Sequence, residues 1–385
     1  MDKESYALFT TTLRRFVRNR LVPAENEVIE ADQIPLEIVS EMAEMGLFGL
    51  SIPAEYGGAG MSASQYLNTI AELAWAAPAY RSVIAIGNGI FGIALQKCGT
   101  ESQKQEWLPK IAEGAVCSFA LTEPDSGSDA AALRTTAVKQ GAEYVLNGTK
   151  RYITNAPSAD VILVMAKTAS EPKPGNAHIS AFLVPSDTKG VSIASPDKKM
   201  GQSGSNIADV ILEDVRVPES SLLGAQEGGG FSVAMQSLNN GRLSVAAACL
   251  GASKRALESA LRYAKERKAF GEPIANFQLT QAKIADSETE IFAIESMLNE
   301  AANRLDRGED VRKQAACTKL FASEACGRIV DRVVQIYGGA GYLREYEAER
   351  FFRDARIYRI YEGTSEIMQL VIAKQVLREY ENLAK

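Results

Sequence analysis

The sequence predicts an α+β multidomain protein: an N-terminal helical domain, a central β-barrel or β-sandwich domain, and a C-terminal four-helix bundle. Three observations support this fold class. The chain has 385 residues, which exceeds one ordinary domain. Helical periodicity governs its first and last thirds. Short β-type runs separated by turn residues fill the middle. The changes of period place the domains at 1–115, 116–225 and 226–385.

The composition is that of a globular protein, with 46% hydrophobic and 23% charged residues. Lys and Arg total 42 against 48 Asp and Glu, so the net charge is −6 and nucleic acid is not expected as a partner. No run approaches about 18 uninterrupted apolar residues, and the start MDKESY lacks a signal-peptide pattern. We therefore expect no membrane span and a location in the bacterial cytoplasm.

Five scattered cysteines form no C-x-x-C pair, so we expect them to be reduced and buried. The single histidine, His178, excludes a metal site with two histidine ligands, and no metal is expected. It is predicted to lie in a strand without a catalytic role. Acid–base chemistry in this chain is therefore expected to use a carboxylate.

Five helices are expected in the N-terminal domain. Leu13, Phe16 and Val17 share one face of the first helix, which is amphipathic. Pro78 marks a boundary because proline disfavours helical conformation in the residue before it. The glycine-rich segment 46–60 is interpreted as a connector, since no phosphate-loop context surrounds it. The expected helices cover 4–22, 34–45, 63–77, 80–97 and 101–113.

Seven β-type runs follow, bounded by Gly, Asn, Pro and Asp. Asn147-Gly148 is a strong signal for a tight turn. The runs cover 117–123, 135–140, 144–154, 160–168, 178–185, 191–195 and 210–217.

Residues 224–230 are predicted to be a linker, after which helical periodicity returns. Ile284, Ile291, Leu298 and Leu305 recur every seven positions, which is typical of a bundle helix packed against antiparallel neighbours. The expected bundle helices cover 231–266, 276–306, 310–337 and 364–382.

Four segments contain residues suited to chemistry. The turn 121–129 offers hydroxyls and N–H groups that could hold a phosphate or a ring edge, or it could be an ordinary Asx/Ser turn. The cations in 266–278 could bind an anion or simply stabilise a helix end. The turn 335–342 could be a binding loop or a flexible C-cap. In 349–367, Glu362 lies in a break before a new helix.

The residues that follow Glu362 explain the break in the helix. Gly363 supplies conformational freedom, and Thr364 or Ser365 can cap the following helix. In isolation, Glu362 would be an ordinary solvated residue at a helix start.

Taken together and in this order, these segments resemble the acyl-CoA dehydrogenase family. The similar motifs extend over essentially the whole chain: PAEYGGAG (53–60), FALTEPDSGSD (119–129), YVLNGTKRYITN (144–155), RKAFG (267–271), QIYGGAGY (335–342) and RDARIYRIYEGTSEI (353–367). The resemblance implies FAD, bound between the β-domain and the bundle with help from a neighbouring subunit of a homotetramer, a dimer of dimers.

The resemblance also implies roles for individual residues. Those expected to contact FAD within one subunit are Phe119, Leu121, Thr122, Ser128, Tyr152, Thr154, Thr364 and Glu366. Those expected to hold the FAD of the adjacent subunit are Arg267, Phe270, Gln278, Gln335, Gly338 and Gly339. Those expected near the acyl-CoA are Ser128, Asn239, Arg242, Tyr361 and Gly363.

In this family a glutamate removes the α-proton of the thioester while the β-hydrogen leaves as hydride to flavin N5. The resemblance assigns that role to Glu362, whose backbone N–H would stabilise the enolate together with a ribityl hydroxyl of FAD. Some members carry the base at the position of Gly241, so this chain resembles the short- and medium-chain branch. Two departures exist: Tyr152 replaces a common Trp, and Asn239 replaces an acidic residue that helps CoA binding in some members.

The expected function is thus oxidation of an acyl-CoA to the trans-2-enoyl-CoA, with electrons passed to electron-transferring flavoprotein. The alternatives are an acyl-CoA oxidase or flavin monooxygenase on the same fold, and a non-catalytic CoA-binding bundle. The retained base and FAD motifs argue against the last of these. The sequence leaves open whether the acyl group is straight, branched or aromatic.

Overall fold

The computed structural model describes residues 1–169 and 173–383. Helices fill the chain up to Ala112, strands occupy its middle, and helices return from Gly230. The predicted fold class is confirmed. Among the described residues, no helix is both long and apolar enough to cross a bilayer.

Seven α-helices form the N-terminal part: α1 (Lys3–Phe16), α2 (Glu25–Ala31), α3 (Leu36–Glu44), α4 (Ala63–Leu73), α5 (Pro78–Ile86), α6 (Gly92–Cys98) and α7 (Glu101–Ala112). The helix expected at 4–22 is present as α1 followed directly by a π-helical turn, Val17–Leu21, which was not predicted. Helix α2 was not predicted, because its seven residues are too few for a periodic pattern.

Residues 80–97 are helical as expected, but a π-helical turn that was not predicted, Gly87–Phe91, separates α5 from α6. Glycine permits this wide turn: a Cβ on Gly92 would lie 2.2 Å from the Gly87 carbonyl oxygen. Pro78 is the first residue of α5, which confirms the predicted boundary.

The central strands are β1 (Cys117–Ala120), β2 (Thr136–Gln140), β3 (Glu143–Thr154), β4 (Val161–Lys167), β5 (Ile179–Pro185), β6 (Val191–Ile193) and β7 (Ile207–Pro218). They form one curled sheet in the order β1-β4-β2-β3-β7-β6, and β5 also pairs with β4. Alternate side chains of β4 enter two cores: Ile162 and Val164 pack with β7, and Val161 and Leu163 pack with helices α6 and α7. The sheet is therefore buried on both faces where β4 crosses it.

The tight turn predicted at Asn147-Gly148 is wrong. Strand β3 continues through both residues, with a register shift against β7 at this point. Gly148 has φ 153, and a Cβ there would lie 2.4 Å from Thr135 Oγ1, so the glycine permits a bulge and a close approach. The hairpin turn lies earlier, between Gln140 and Glu143.

The C-terminal helices are α8 (Gly230–Glu266), α9 (Gln278–Asp306), α10 (Arg312–Tyr337), α11 (Glu347–Ala355) and α12 (Ser365–Leu383). A short ribbon, β8 (Lys268–Ala269) and β9 (Glu272–Pro273), joins α8 to α9. Helix α11 was not predicted, because it is short and rich in charge. Helix α10 ends at Gly338, as expected.

Two ion pairs of Arg255 fix α8 against both neighbouring regions. Its guanidinium lies 2.9 Å from Glu25 of α2 and 2.8 Å from Glu347 of α11. Arg350 adds a 2.7 Å pair with Glu25. The four side chains are at most partly exposed, so the network joins the N-terminal helices to the segment before Glu362.

The cysteines are all free, as expected, but Cys98 and Cys317 are partly exposed rather than buried. His178 is buried and lies one residue before β5 instead of within a strand. Its Nδ1 accepts a hydrogen bond from the Lys173 backbone N–H at 3.3 Å.

Candidate active site

Glu362 occupies a turn between α11 and α12 whose backbone is unusual. Its φ is 57° and that of Gly363 is 95°, both in the left-handed region that residues other than glycine rarely adopt. Thr364 caps α12, since its Oγ1 accepts from the Ile367 backbone N–H at 3.3 Å. Ser365 instead donates to Glu324 at 2.6 Å. The turn is thus held at its C-terminal side by α12 and α10.

The carboxylate of Glu362 lies directly against Gly241 of α8. A Cβ built on Gly241 would be 2.6 Å from Glu362 Oε2 and 3.1 Å from Oε1. Only a glycine leaves room there for the carboxylate in this position. The two positions singled out in the sequence therefore share one site, and the absent side chain at 241 is what admits the acid at 362.

Glu362 is half-buried, and its Oε2 is buried without a hydrogen-bond partner among the described residues. Burial raises the pKa of Glu362 above its ordinary value. The cations Arg81, Arg242 and Lys319 oppose this effect without overcoming it. A carboxylate with a raised pKa and one buried, unpartnered oxygen is suited to accept a proton.

Arg242 joins the predicted acyl-CoA residues to the turn. Its Nη1 donates to Asn239 Oδ1 at 2.9 Å, and its Nε donates to the Glu362 carbonyl oxygen at 3.4 Å. Gly363 is adjacent, because a Cβ there would lie 4.0 Å from Arg242 Nη2. Tyr361 is half-buried beside them, and burial raises the pKa of its hydroxyl. The structure thus brings Asn239, Arg242 and the turn together.

Lys319 of α10 also supports the turn. Its side chain is fully buried, and Nζ donates to the Gly363 carbonyl oxygen at 2.6 Å. Burial lowers the pKa of Lys319 to about 8. Gln202 and Asp354 add a third support: Asp354 Oδ1 accepts from the Gln202 backbone N–H, which fixes the end of α11 to the β-domain.

Most of the predicted flavin residues of the β-domain lie close together, although Leu121 is buried. The Arg151 N–H donates to Thr122 O at 2.8 Å, and Ser118 Oγ donates to Thr154 O at 2.8 Å. These bonds place Phe119, Leu121 and Thr122 beside Tyr152 and Thr154. Tyr152 lies in a bulge of β3 with φ 58°, and 54% of its surface is exposed.

A buried ion pair organises the loop after Leu121. Lys150 Nζ lies 2.7 Å from Glu123 Oε1, and the lysine is fully buried. Glu123 also accepts from the Thr135 backbone N–H at 3.0 Å. Ser128, at the tip of this loop, is exposed, as is Glu366 at the start of α12.

The residues predicted to hold a neighbouring subunit's FAD gather at one end of the bundle, away from Glu362. Helices α9 and α10 are antiparallel neighbours, so the start of α9 lies beside the end of α10. The stacked rings of Tyr263 and Tyr337, 4.1 Å apart, bring the end of α8 to the same place. The residues at this end are Arg267, Phe270, Gln278, Gln335, Gly338 and Gly339, all exposed.

Both groups have the chemistry that FAD requires. A flavin ring needs a flat aromatic or apolar surface with hydrogen-bonding groups at its polar edge, which Tyr152, Thr122 and Thr154 supply. The other half of FAD is anionic and suits a cation beside glycine backbone, as at Arg267 and Gly338. Phe270 is 98% exposed, an apolar surface left for a ligand or partner to cover. The residues present therefore fit FAD.

A cavity of about 170 Å³ lies between α4, α8 and the π-helical turn. Its walls are largely apolar and include Leu67, Leu243 and Tyr66. The Tyr66 hydroxyl lies 3.5 Å from Ser244 Oγ, one helical turn after Gly241. The cavity therefore borders the Glu362 site. Within the described ranges, no cluster of three metal-ligating side chains occurs.

Sequence reasoning missed three buried cations near these groups: Arg81, Lys150 and Lys319. Arg81 and Lys319 each interrupt an apolar or small-residue run, such as PAYRSVIAI around Arg81, and a lone charge on such a helix face was the available signal. Lys150 gave no such signal, because it lies in a strand beside Arg151 and other polar residues. Which groups surround such a charge depends on tertiary packing.

Comparison with known proteins identifies the chain's relatives. Models of the acyl-CoA dehydrogenase N-terminal, middle and C-terminal domains match residues 3–115, 118–215 and 228–377. The bovine (Bos taurus) mitochondrial short-chain specific acyl-CoA dehydrogenase is 39% identical, over 98% of this chain and 92% of its own length. The caffeyl-CoA reductase-Etf complex subunit CarC of Acetobacterium woodii is 41% identical, over 92% of this chain and 93% of its own length.

A solved structure agrees. The glutaryl-CoA dehydrogenase of Mycobacterium smegmatis in complex with FADH2 has a TM-score of 0.91 and 32% identity, covering 98% of this chain and 95% of that one. FAD is the cofactor of these enzymes, as the sequence predicted. With its three domain matches and relatives aligned over nearly its whole length, this chain belongs to the acyl-CoA dehydrogenase family.

Proposed function

We propose that the chain oxidises an acyl-CoA thioester to the trans-2-enoyl-CoA, with Glu362 as the base that takes the α-proton. One observation carries this proposal: Oε2 of the half-buried Glu362 is itself buried without a hydrogen-bond partner among the described residues, against a glycine that makes space for it. A structural glutamate in such a place would be paired, because an unpaired buried carboxylate is costly.

The protein's part in this reaction is to hold and move one proton. Burial gives Glu362 a raised pKa, so proton uptake is easier than for a solvated glutamate. The neighbouring cations Arg81, Arg242 and Lys319 counteract burial and favour the ionised base before reaction. The Glu362 backbone N–H donates no hydrogen bond among the described residues, which leaves it available for the thioester oxygen.

The remaining chemistry comes from the cofactor. FAD, when bound, supplies the acceptor for the β-hydrogen as hydride. In this proposal Phe119, Leu121, Thr122, Tyr152 and Thr154 hold its ring system on the β-domain, with Thr364 and Glu366 beside it. Exposure of the second group at the far end of the bundle supports its use by a neighbouring subunit, and hence a homotetramer.

Acyl-CoA binding falls to the residues around Arg242. Asn239, Tyr361 and Gly363 surround it, and Ser128 lies on the loop at the predicted CoA entrance. The hydrogen bond from Arg242 to Asn239 occupies one guanidinium nitrogen and leaves others available for an anionic or carbonyl group of the ligand.

A second candidate is the reverse reaction, reduction of an enoyl-CoA with electrons from electron-transferring flavoprotein. The name of the Acetobacterium woodii relative, a reductase in an Etf complex, favours it. The same residues serve both directions, since a protonated Glu362 would return the proton to the α-carbon. In either direction we propose electron-transferring flavoprotein as the redox partner.

The test is anaerobic titration of the purified flavoprotein with a panel of acyl-CoA thioesters. We expect wild-type absorbance near 450 nm to bleach, and Glu362→Gln to keep FAD but bleach at least about 1000-fold more slowly. Glu379→Gln, an exposed change on α12, is the matched control and should behave as wild type. Normal bleaching by Glu362→Gln would refute the proposed base.

The electron acceptor is tested with the reduced enzyme. Reoxidation by electron-transferring flavoprotein, with slow reaction toward oxygen, is expected of a dehydrogenase. Rapid reoxidation by oxygen would support the oxidase alternative instead.

A further inference from the structure

One buried carboxylate, that of Glu123, holds the loop that follows β1. Its Oε1 lies 2.7 Å from Lys150 Nζ and accepts from the Thr135 backbone N–H at 3.0 Å. Its Oε2 accepts from the Arg134 backbone N–H. The main chain of Glu123 also exchanges two hydrogen bonds with that of Ser126, at 3.0 and 3.1 Å. The loop itself, the segment before β2 and strand β3 therefore all converge on Glu123.

The same ion pair reaches the residues proposed to contact the flavin. Lys150 Nζ donates to the Leu121 carbonyl oxygen at 3.3 Å. The Arg151 backbone N–H, one residue further along β3, donates to the Thr122 carbonyl oxygen at 2.8 Å. Leu121 and Thr122 are thus held against β3 by one side-chain bond and one main-chain bond. The side-chain bond exists only while the lysine keeps its place beside the carboxylate.

Both members of the pair are charged and almost wholly removed from water. The side chains of Lys150 and Glu123 are 0% and 5% exposed, and no ion pair within the described ranges is more buried. Burial lowers the pKa of Lys150 to about 8, so its amine is still protonated at neutral pH. Burial alone would raise the pKa of Glu123, but Lys150 and the hydrogen-bond donors bring it below its ordinary value.

Stability alone does not account for such a pair. Removing two charges from water costs about as much as their attraction returns, and apolar replacements of similar volume are often as stable. An apolar pair, however, cannot fix the direction of several backbone N–H and carbonyl groups at once. The pair of Glu123 and Lys150 fixes such groups directly beside Leu121 and Thr122.

We propose that Glu123 and Lys150 are positioning residues for FAD: their ion pair sets where Leu121 and Thr122 meet the flavin ring, and thereby how tightly FAD is held. Both side chains are buried within the β-domain, so they act through the main chain of the loop and not by touching the cofactor. This inference rests on the proposed flavin residues Leu121 and Thr122.

The test measures FAD release from the holoenzyme at a temperature well below its melting point. The FAD lost after dilution is followed by ultrafiltration, and the visible absorbance of the bound flavin reports the surroundings of the ring. We expect Lys150→Met to release FAD at least about 10-fold faster than wild type. Glu123→Gln should release it faster still, because the buried ammonium and the N–H donors lose their anionic acceptor. Both variants should shift the flavin absorbance.

A double variant separates positioning from folding. Glu123→Gln combined with Lys150→Met leaves no unpaired buried charge, so its melting temperature should recover toward that of wild type. Its FAD release should stay at least about 10-fold faster than wild type, because the loop still lacks its anchor. The control is Glu219→Gln, which breaks the exposed pair of Glu219 and Lys139 in the same β-domain and should change neither quantity.

Two results would overturn the inference. One is FAD release within about twofold of wild type, with an unchanged flavin spectrum, in both single variants. The other is a double variant whose release rate returns to that of wild type together with its melting temperature. Thr122→Ala tests the flavin placement itself. If it speeds release while the pair variants do not, the flavin residues stand and only the inference fails; if none of these variants speeds release, both fail.

Discussion

Replacing Gly241 with alanine should separate activity from stability. The new Cβ would lie 2.6 Å from Glu362 Oε2, whereas ordinary contacts begin at 3.4 Å, so the carboxylate must retreat by about 0.8 Å. The obstructing atoms are the far end of a flexible side chain, and retreat costs the fold little. Alanine is also favoured over glycine inside a helix by about 0.5–1 kcal/mol. We therefore expect Gly241→Ala to unfold at the wild-type temperature or slightly higher.

The activity of Gly241→Ala, in contrast, should fall. A displacement near 1 Å of a catalytic group can cost about 100-fold in rate, and that is the expected fall in anaerobic flavin reduction. The measurement is stopped-flow absorbance at saturating acyl-CoA, with FAD content and thermal unfolding recorded on the same samples. A wild-type rate in Gly241→Ala would show that the carboxylate position described here is not the reactive one.

Two other helix glycines serve as controls. A Cβ on Gly327 of α10 would make only an ordinary 3.9 Å contact, so Gly327→Ala should gain stability and keep its rate. A Cβ on Gly251 of α8 would lie 2.1 Å from the Ala71 carbonyl oxygen, a backbone atom that cannot easily move, so Gly251→Ala should lose stability.

The remaining predictions concern charge and cofactor. Because burial raises the pKa of Glu362, kcat/KM should fall on acidification at a pH above the ordinary glutamate value of 4.5. The free energy of unfolding of the wild type should also fall as pH rises through that pKa, because the unfolded state then binds fewer protons than the folded state. Glu362→Gln should not show this fall in thermal melts, and at pH 7 it should be more stable than the wild type. Lys319→Met removes a cation near Glu362 and the hydrogen bond to the Gly363 carbonyl oxygen. The acid limb of its kcat/KM–pH profile should therefore move to higher pH, and kcat should drop about 10-fold or more. An unchanged acid limb would contradict the electrostatic role of Lys319. Arg267→Ala should retain less FAD through gel filtration, and unchanged occupancy would count against its assignment.

Much of the fold follows from local patterns. The seven-residue recurrence in α9 and the period-two runs of the β-domain depend only on which face is buried, and Gly338 ends α10 because it adopts positive φ. The turn predicted at Asn147-Gly148 was wrong because long-range pairing, and not the local pattern, determines the structure there. Its local signal for a turn was overridden by pairing of β3 with β7 on both sides of a bulge.

The candidate site likewise contains residues that could be predicted from the sequence and residues that could not. Glu362, Gly363 and Thr364 are adjacent in sequence, so their turn and cap could be anticipated from residue type. That Gly241 touches Glu362 was visible only as a relation between two family positions. Arg81 and Lys319 gave no such relation, because the partner of each depends on tertiary packing: Ser244 lies 163 residues from Arg81, and Gly363 lies 44 residues from Lys319.

One ion-pair network determines how the protein should unfold. It consists of Glu25, Arg255, Glu347 and Arg350. It links α2 to α8 and α11, and the largest apolar core likewise combines residues of α1 and α4 with residues of α9 and α10. The N-terminal helices therefore lack a separate hydrophobic core that would let them fold or unfold independently. Removed from the bundle, they would expose apolar surface and leave Glu25 unpaired. The two helical regions should behave as one cooperative unit, which makes the chain's first and last thirds a single folding domain split by an inserted sheet.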